Sequence, residues 1–363
     1  MAIHRLYHTV FDALGQLRPG ERQNRLATFT WFLVGLFLSR SVALPAIGRK
    51  IPGPAQELSV FRRLQRLLDN PAIGVLEWYA PIARAWLAAA AATTGELRLI
   101  VDSTKVGPAH RLLLVCLAFR RRAIPIAWSW CAGKRGHASA AAQLRLARYV
   151  CRVAPPGAPV LLVGDTEFES GQLQAQLRHW GWRYVLRQKA TNLVRRPGSE
   201  AWLPVGALVD GPGQSVWLAG AALTGRHSSP ANLLAHWAPG EAEPWLLATN
   251  LPTAAATRTA YARRMWVEEL FGDLKGHGFE LEASHLGRPE RLNRLTLGVA
   301  LLYEWLLGKG VRVIRSGRRH LVDRHDRRDL SLFQIGLRWV DRCLKNERPF
   351  ALSFFPTIPK TVR

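Results

Sequence analysis

The sequence predicts a mixed α/β protein, with a helical N-terminal segment, an α/β core interrupted by a β-rich stretch, and a helical C-terminal region. Three observations carry this. Residues 1–92 place apolar side chains at helical spacing and contain no strand-like run. From residue 96 three apolar runs follow one another, and then helix, strand, helix and strand alternate. Between residues 189 and 253 short β-like pieces are separated by Pro-Gly pairs before helical periodicity returns. A chain of 363 residues has room for two or three domains and a sizeable core.

In the N-terminal segment, His4 to Leu17 and Glu21 to Ser39 read as helices divided by the stop signal Arg18-Pro19-Gly20. Pro45 to Pro54 is a Pro/Gly-rich connection, and Glu57 to Leu68 is an amphipathic basic helix carrying Arg62, Arg63 and Arg66. These three arginines suit DNA phosphates, and a solvated charged face accounts for them equally well. Pro71 to Ala92 is a further helix.

The core begins with Glu96-Leu-Arg-Leu-Ile-Val-Asp102, an apolar strand delivering Asp102 at its end. His110 to Arg120 and Ala123 to Cys131 are two more strands joined as a hairpin around Arg120-Arg-Arg122. Ala138 to Val153 is an amphipathic helix, with His137 near its start as a cap residue or phosphate contact. Ala158 to Gly164 is a strand followed at once by Asp165, then Phe168 to Trp180 is helix and Trp182 to Arg187 strand. Within residues 189–253 the β-like pieces are Trp202 to Leu208, Ser215 to Leu223 and Trp245 to Thr249. Trp217, Trp237 and Trp245 are expected, for the most part, to fill the core of a small sheet. Arg288 to Leu307 reads as an apolar helix, Gly308 to Asp329 as an arginine- and histidine-rich loop, and Ser331 to Trp339 as helix.

Composition narrows the function classes. Lys and Arg number 50 against 26 acids, giving net +24 and a pI near 11.2, so the favoured partner is a polyanion and binding should weaken with salt. The apolar run from Phe29 to Leu38 is too short to span a bilayer and reads as a buried helix, and no signal peptide is expected. Cys116, Cys131, Cys151 and Cys343 lack C-x-x-C spacing and any zinc pattern, which fits a reduced cytoplasmic setting with cysteines as small core residues. No nucleophilic triad and no glycine-rich nucleotide loop is present.

The chemistry concentrates in Tyr261-Ala-Arg-Arg264-Met-Trp-Val-Glu268-Glu-Leu-Phe-Gly-Asp-Leu-Lys275. On a helix turning about 100° per residue, Tyr261, Arg264, Glu268 and Lys275 fall at about 0°, 300°, 340° and 320°, beside a core stripe of Val267, Leu270, Phe271 and Leu274. A surface ion pair between Arg264 and Glu268 would stabilise by only a few tenths of a kcal/mol, and Arg-before-Glu is the poorer order. A carboxylate flanked along one face by phosphate-seeking cations suits metal-dependent phosphoryl transfer. Asp102 and Asp165, each ordinary alone as a turn or cap residue, become neighbours if their strands pair. Their hard oxygens favour magnesium or manganese over zinc.

The spacing Tyr, two residues, Arg, three residues, Glu, six residues, Lys resembles the third catalytic motif of DDE-class insertion-sequence transposases of the bacterial IS-four type. The order strand, strand, strand, helix, strand, helix, strand resembles the RNase H-like fold, in which the first and fourth strands are neighbours. The resemblance spans residues 98–305, with a weaker match to 339. It implies a helical N-terminal DNA-binding domain (1–92) and an RNase H-like core in two parts (93–188 and 254–307, the second with the catalytic helix). A β-rich insertion (189–253) and a basic C-terminal region suited to dimerisation (308–363) complete it.

The resemblance further implies Asp102, Asp165 and Glu268 as catalytic metal-binding acids with two Mg2+ or Mn2+ ions, and DNA contacts from Tyr261, Arg264 and Lys275. Trp245 would stack on a flipped base. The implied activity is cut-and-paste transposition: end nicking, hairpin formation and opening, and strand transfer. The implied partners are double-stranded terminal inverted repeats and target DNA, engaged by a homodimer in the bacterial cytoplasm at the nucleoid, with no membrane association. One departure is Asp165-Thr166-Glu167-Phe168, where the family commonly has a small or basic residue and then Gly-Phe. Glu167 is outward and harmless, or faces the metals and alters the chemistry, or is itself a ligand. Two other classes fit part of the pattern: a transposase-derived DNA-binding protein without cleavage, and an RNase H-like nuclease or junction resolvase.

Overall fold

The computed structural model describes residues 2–107, 109–132, 138–223, 230–276 and 278–356. In chain order the helices α1 (Ala2–Leu17), α2 (Gln23–Ser39), α3 (Leu44–Gly48), α4 (Glu57–Asp69) and α5 (Val75–Thr94) come first. Strands β1 (Leu97–Val106), β2 (His110–Phe119) and β3 (Arg122–Ala132) follow, then α6 (Ala140–Val153), β4 (Val160–Gly164), α7 (Gly171–His179) and β5 (Arg183–Arg187). Next are β6 (Leu193–Arg195), β7 (Trp202–Pro204), β8 (Ser215–Leu223), β9 (Ala231–His236) and β10 (Trp245–Thr249). Helices α8 (Ala254–Tyr261), α9 (Trp266–Lys275), α10 (Pro289–Arg315) and α11 (Leu332–Lys345) come last.

The chain divides into two compact units interleaved in sequence. One holds Met1–Trp86, Lys105–His110 and Glu268–Arg363, the other Leu87–Thr104 and Arg111–Val267. In the first, the long apolar helix α10 packs on α2, α4 and α11, so the N-terminal helices and the C-terminal helices share one core. Phe29, Phe32, Phe37, Tyr303, Trp305 and Phe333 fill it. Gly310 and Gly336 set the close approach of α10 and α11, because a Cβ at either would collide with a carbonyl of the facing helix. A capping box fixes the start of α11: the Ser331 hydroxyl accepts from the Gln334 N–H, and the Gln334 side chain accepts from the Ser331 N–H. Inside this core the Glu304 carboxyl accepts from Trp86 Nε1 at 2.6 Å and from the Tyr79 hydroxyl at 3.4 Å.

The second unit is built on one sheet of strand order β3-β2-β1-β4-β5-β10-β9-β8-β6-β7 among the described residues. β1, β4 and β5 run parallel, and their near-continuous apolar sequences are those of strands covered on both faces. β10 then pairs antiparallel with β5, and β9, β8, β6 and β7 continue antiparallel from it. The β-rich stretch therefore extends the core sheet.

Several sequence expectations are corrected. The tryptophans do not fill the β-rich core, which is aliphatic: Val194, Val205, Leu233, Ala235, Leu246 and their neighbours. Trp217 and Trp245 are half-buried, Trp237 packs at the cluster's margin and Trp202 is exposed. The inward positions of these strands carry Val, Leu and Ala, and the tryptophans lie at the margin or on the surface. Residues 261–275 are not one α-helix. A 3-10 turn over Ala262–Met265 joins α8 to α9, and at about 120° per residue it adds about 80° of rotation, so the four motif side chains do not share one continuous helical face. Asp102 lies inside β1 and not at its end, since the strand runs on to Val106. The first residues of the expected 308–329 loop belong to α10, whose apolar pattern carries it to Arg315. Cys116 and Cys343 are buried, but Cys131 is half-buried and Cys151 exposed. Among the described residues, no helix is long and apolar enough to cross a membrane.

Candidate active site

The site grows from a strand register. β1 and β4 pair in parallel with Val101 opposite Gly164, so their successors, Asp102 and Asp165, come side by side. Parallel pairing is possible because α6 and its flanking segments carry the chain back between them. Gly164 permits the approach: a Cβ there would lie 2.9 Å from Val101 Cγ1 and 3.1 Å from both Leu186 Cδ2 and Phe168 Cβ.

The two carboxylates are held in the same way. Asp102 Oδ1 accepts from the Ser103 N–H at 2.7 Å, and Asp165 Oδ1 accepts from the Thr166 N–H at 2.7 Å. Each thereby orients its other oxygen. Arg264, from the 3-10 turn, places Nη2 at 3.0 Å from Asp102 Oδ2 and 3.4 Å from Asp165 Oδ2. Asp102 is the more buried of the pair, with its side chain 7% exposed against 32% for Asp165. The two carboxylate oxygens are hard donors of the kind a divalent ion prefers, and the cation between them here is the Arg264 guanidinium. Among the described residues no group of three or more His, Cys, Asp and Glu side chains is arranged to hold a metal.

Tyr261, one turn before Arg264, is buried, and its ring meets Trp245 edge-on at 5.1 Å between centroids and 73° between planes. Burial, reinforced by the nearby Asp165 charge, pushes its hydroxyl up to about 12, so it remains a hydrogen-bond donor throughout the neutral and alkaline range. The structure thus brings together Asp102, Asp165, Arg264, Tyr261 and Trp245, which come from β1, the end of β4, the 3-10 turn, α8 and β10.

No protein-family model matches the chain, and no curated protein matches it. Among solved structures it is similar to a piggyBac transposase synaptic complex with hairpin DNA, at 11% identity and a TM-score of 0.43, over 99% of this chain and 84% of that one.

Glu167 turns out to have a defined local role. Its side chain is 7% exposed; Oε2 accepts from Arg111 Nη1 at 3.0 Å and from the Ser103 hydroxyl, and Oε1 accepts from the Ala138 N–H at 2.6 Å. The carboxylate ties the residue after Asp102 to β2 and to the start of α6, so the outward reading is corrected: it is an internal strut. Arg111 and Ser103 were not singled out from the sequence. The only available signal was an acid just after Asp165 that needed a cation, and many arginines could have supplied it.

Glu268 is exposed on the first turn of α9, and Lys275 ends that helix. Lys275 Nζ donates to the Lys105 carbonyl at 2.6 Å and lies 3.4 Å from Glu282 Oε1. His137 lies outside the described residues. Of the three arginines on α4, Arg63 and Arg66 line a cavity of about 570 Å3 together with Arg22, Arg25, Thr28 and Asn70, whereas Arg62 is exposed and does not line it. Among the described residues no acid lines the cavity, and Arg25 is paired with Glu21 nearby.

Proposed function

We propose that the chain is a DDE-class transposase, cutting and joining DNA at the ends of a mobile element by metal-dependent phosphoryl transfer, and that the first five strands form an RNase H-like core. The observation that carries this reading is the convergence of Asp102 and Asp165, from adjacent parallel strands, on Arg264 of the Tyr-Arg-Glu-Lys segment. The charge of +24 supports a DNA partner.

In the proposed reaction Asp102 and Asp165, with Glu268, four residues after Arg264 in the chain, as the third acid, are the residues that would hold Mg2+ or Mn2+. Two such ions, when bound, supply Lewis-acid activation of the attacking oxygen and neutralise charge on the leaving oxygen. The chain's own residues do the rest. Arg264 and Lys275 hold phosphate oxygens with charge-assisted hydrogen bonds that strengthen as negative charge builds. Tyr261 donates its proton-retaining hydroxyl to a backbone oxygen. Trp245, with its ring already propped by Tyr261, offers a face to an unstacked base. Nicking, hairpin formation, hairpin opening and strand transfer are then successive displacements at one site, performed on paired double-stranded ends by a homodimer.

The test is magnesium-dependent cleavage of a duplex carrying the inverted repeat that flanks the gene, with intact protein and Glu268→Gln. Hairpin or double-strand-break products from the intact protein alone are expected. Tight, salt-sensitive binding to that end without cleavage by the intact protein would overturn the enzyme reading and leave a DNA-binding descendant. Water-only nicking without hairpin or strand-transfer products would leave a nuclease.

A further inference from the structure

We propose that Arg264 is an internal counter-cation that holds Asp102 and Asp165 until DNA arrives, so that divalent-ion binding and phosphate binding are coupled through one side chain. This rests on the reading of the two aspartates as metal ligands. Nη2 of Arg264 lies within 3.4 Å of Oδ2 on both carboxylates, the same oxygens a divalent ion would take. The guanidinium and the ion therefore compete for one place. Arginine does not lose its proton in the accessible pH range, so the guanidinium cannot vacate that place by deprotonation. It has to move.

The local structure favours such a movement. Arg264 sits in the 3-10 turn between α8 and α9, where hydrogen-bond geometry is poorer than in either flanking helix. Its side chain is 15% exposed, and the contact to Asp165, the longer of the two, lies on the side where the carboxylate is 32% exposed. The aspartates need no help from Arg264 to keep their orientation, because the Ser103 and Thr166 amides hold their Oδ1 atoms. A DNA phosphate offers the guanidinium an anion of comparable strength outside the carboxylate pair. Transferring Arg264 to that phosphate takes one positive charge from between the two carboxylates and raises their affinity for a divalent ion. By linkage, the ion raises affinity for the phosphate by the same factor. The protein is then a poor metal binder by itself and a good one on DNA, which keeps the cleavage centre unassembled away from its substrate.

The test is Mn2+ binding to the full-length, DNA-free protein, followed by electron paramagnetic resonance. Arg264→Gln should bind Mn2+ about tenfold or more tightly than the intact protein, the change expected when a cation is removed from between two ligands. Arg263→Gln removes the same charge one residue away, where the neighbouring charges are Arg98 and Glu96, and should leave the affinity unchanged. Arg264→Lys keeps the charge but loses the planar fork, and should fall between the intact protein and the Gln variant. Equal or weaker Mn2+ binding by Arg264→Gln and Arg264→Lys would overturn the proposal, as would an equal gain in Arg263→Gln. Failure of the underlying reading looks different: Asp102→Asn and Asp165→Asn would then leave Mn2+ binding unchanged, whatever Arg264 does.

Discussion

Arg63 and Arg66 give the most quantitative prediction. They reach the cavity between the first turn of α2 and α4 with Arg22 and Arg25, while Arg62, on the same helix, does not line it. If the cavity takes the DNA backbone, each arginine neutralises one phosphate, and each phosphate contact contributes about 0.9 to the slope of log affinity against log salt. Removing both in Arg63→Gln/Arg66→Gln should lower the slope by about 1.8. Between about 50 and 200 mM salt, roughly a fourfold change, the intact protein should lose about tenfold more affinity than the double variant. Fluorescence anisotropy of a labelled duplex titrated at several salt concentrations reads this directly, with Arg62→Gln as the control compared per charge removed. An equal reduction per charge from Arg62→Gln would show that only the diffuse basic field matters and would refute a role for the cavity.

Two further predictions concern buried groups. Burial raises the Glu304 carboxyl to about 8, against the opposing hydrogen bonds from Trp86 and Tyr79, so the folded protein keeps a proton that the unfolded chain releases near 4.5. Because the folded state binds more protons between those values, stability should fall as pH rises from about 4.5 to about 8 and level off above it. Glu304→Gln should flatten that fall in urea midpoints measured from about pH 5 to 9. Gly164→Ala introduces a Cβ 2.9 Å from Val101 Cγ1, so it should destabilise by about 1–3 kcal/mol in thermal or chemical melts. It should also lower magnesium-dependent cleavage by more than the folded fraction alone explains, because the displaced strand carries Asp165.

How much of this was legible in the sequence depended on whether the signal was local. β1 illustrates the favourable case over residues 97–101: Leu-Arg-Leu-Ile-Val is a buried-strand run, and Val160 to Gly164 is another, so both strands and the neighbourhood of the two aspartates could be read. The 3-10 turn at 262–265 could not, because four residues are too few for a period of about 100° to be told from one of about 120°. β9 went unread because Ala-Asn-Leu-Leu-Ala-His has no clean alternation; its pairing with β8 and β10 is tertiary. Glu167 is ambiguous in the sequence for the same reason: its partner Arg111 is remote in sequence, and the pairing of β2 with β1 and of β1 with β4 brings them together. The tryptophans are not placed by the sequence because residue type alone does not tell whether strands form a small sheet with its own core or extend an existing sheet.

The candidate site is therefore set by register more than by the acids themselves. A slip of one residue between β1 and β4 would turn Asp102 to the opposite face of the sheet and leave Asp165 with a different neighbour. Two features oppose that slip. Val101 packs against Gly164, where no larger residue fits, and Glu167, just after β4, ties itself to Ser103 on β1 and Arg111 on β2. The Ser103 and Thr166 amides, each bonded to the aspartate before it, then orient the same oxygen of each carboxylate. With Oδ1 fixed on both carboxylates, Oδ2 of each has one place to point, and the cation found there is Arg264. The departure at Glu167, which in the sequence looked like an added negative charge beside the acids, is by this geometry part of what keeps them aligned.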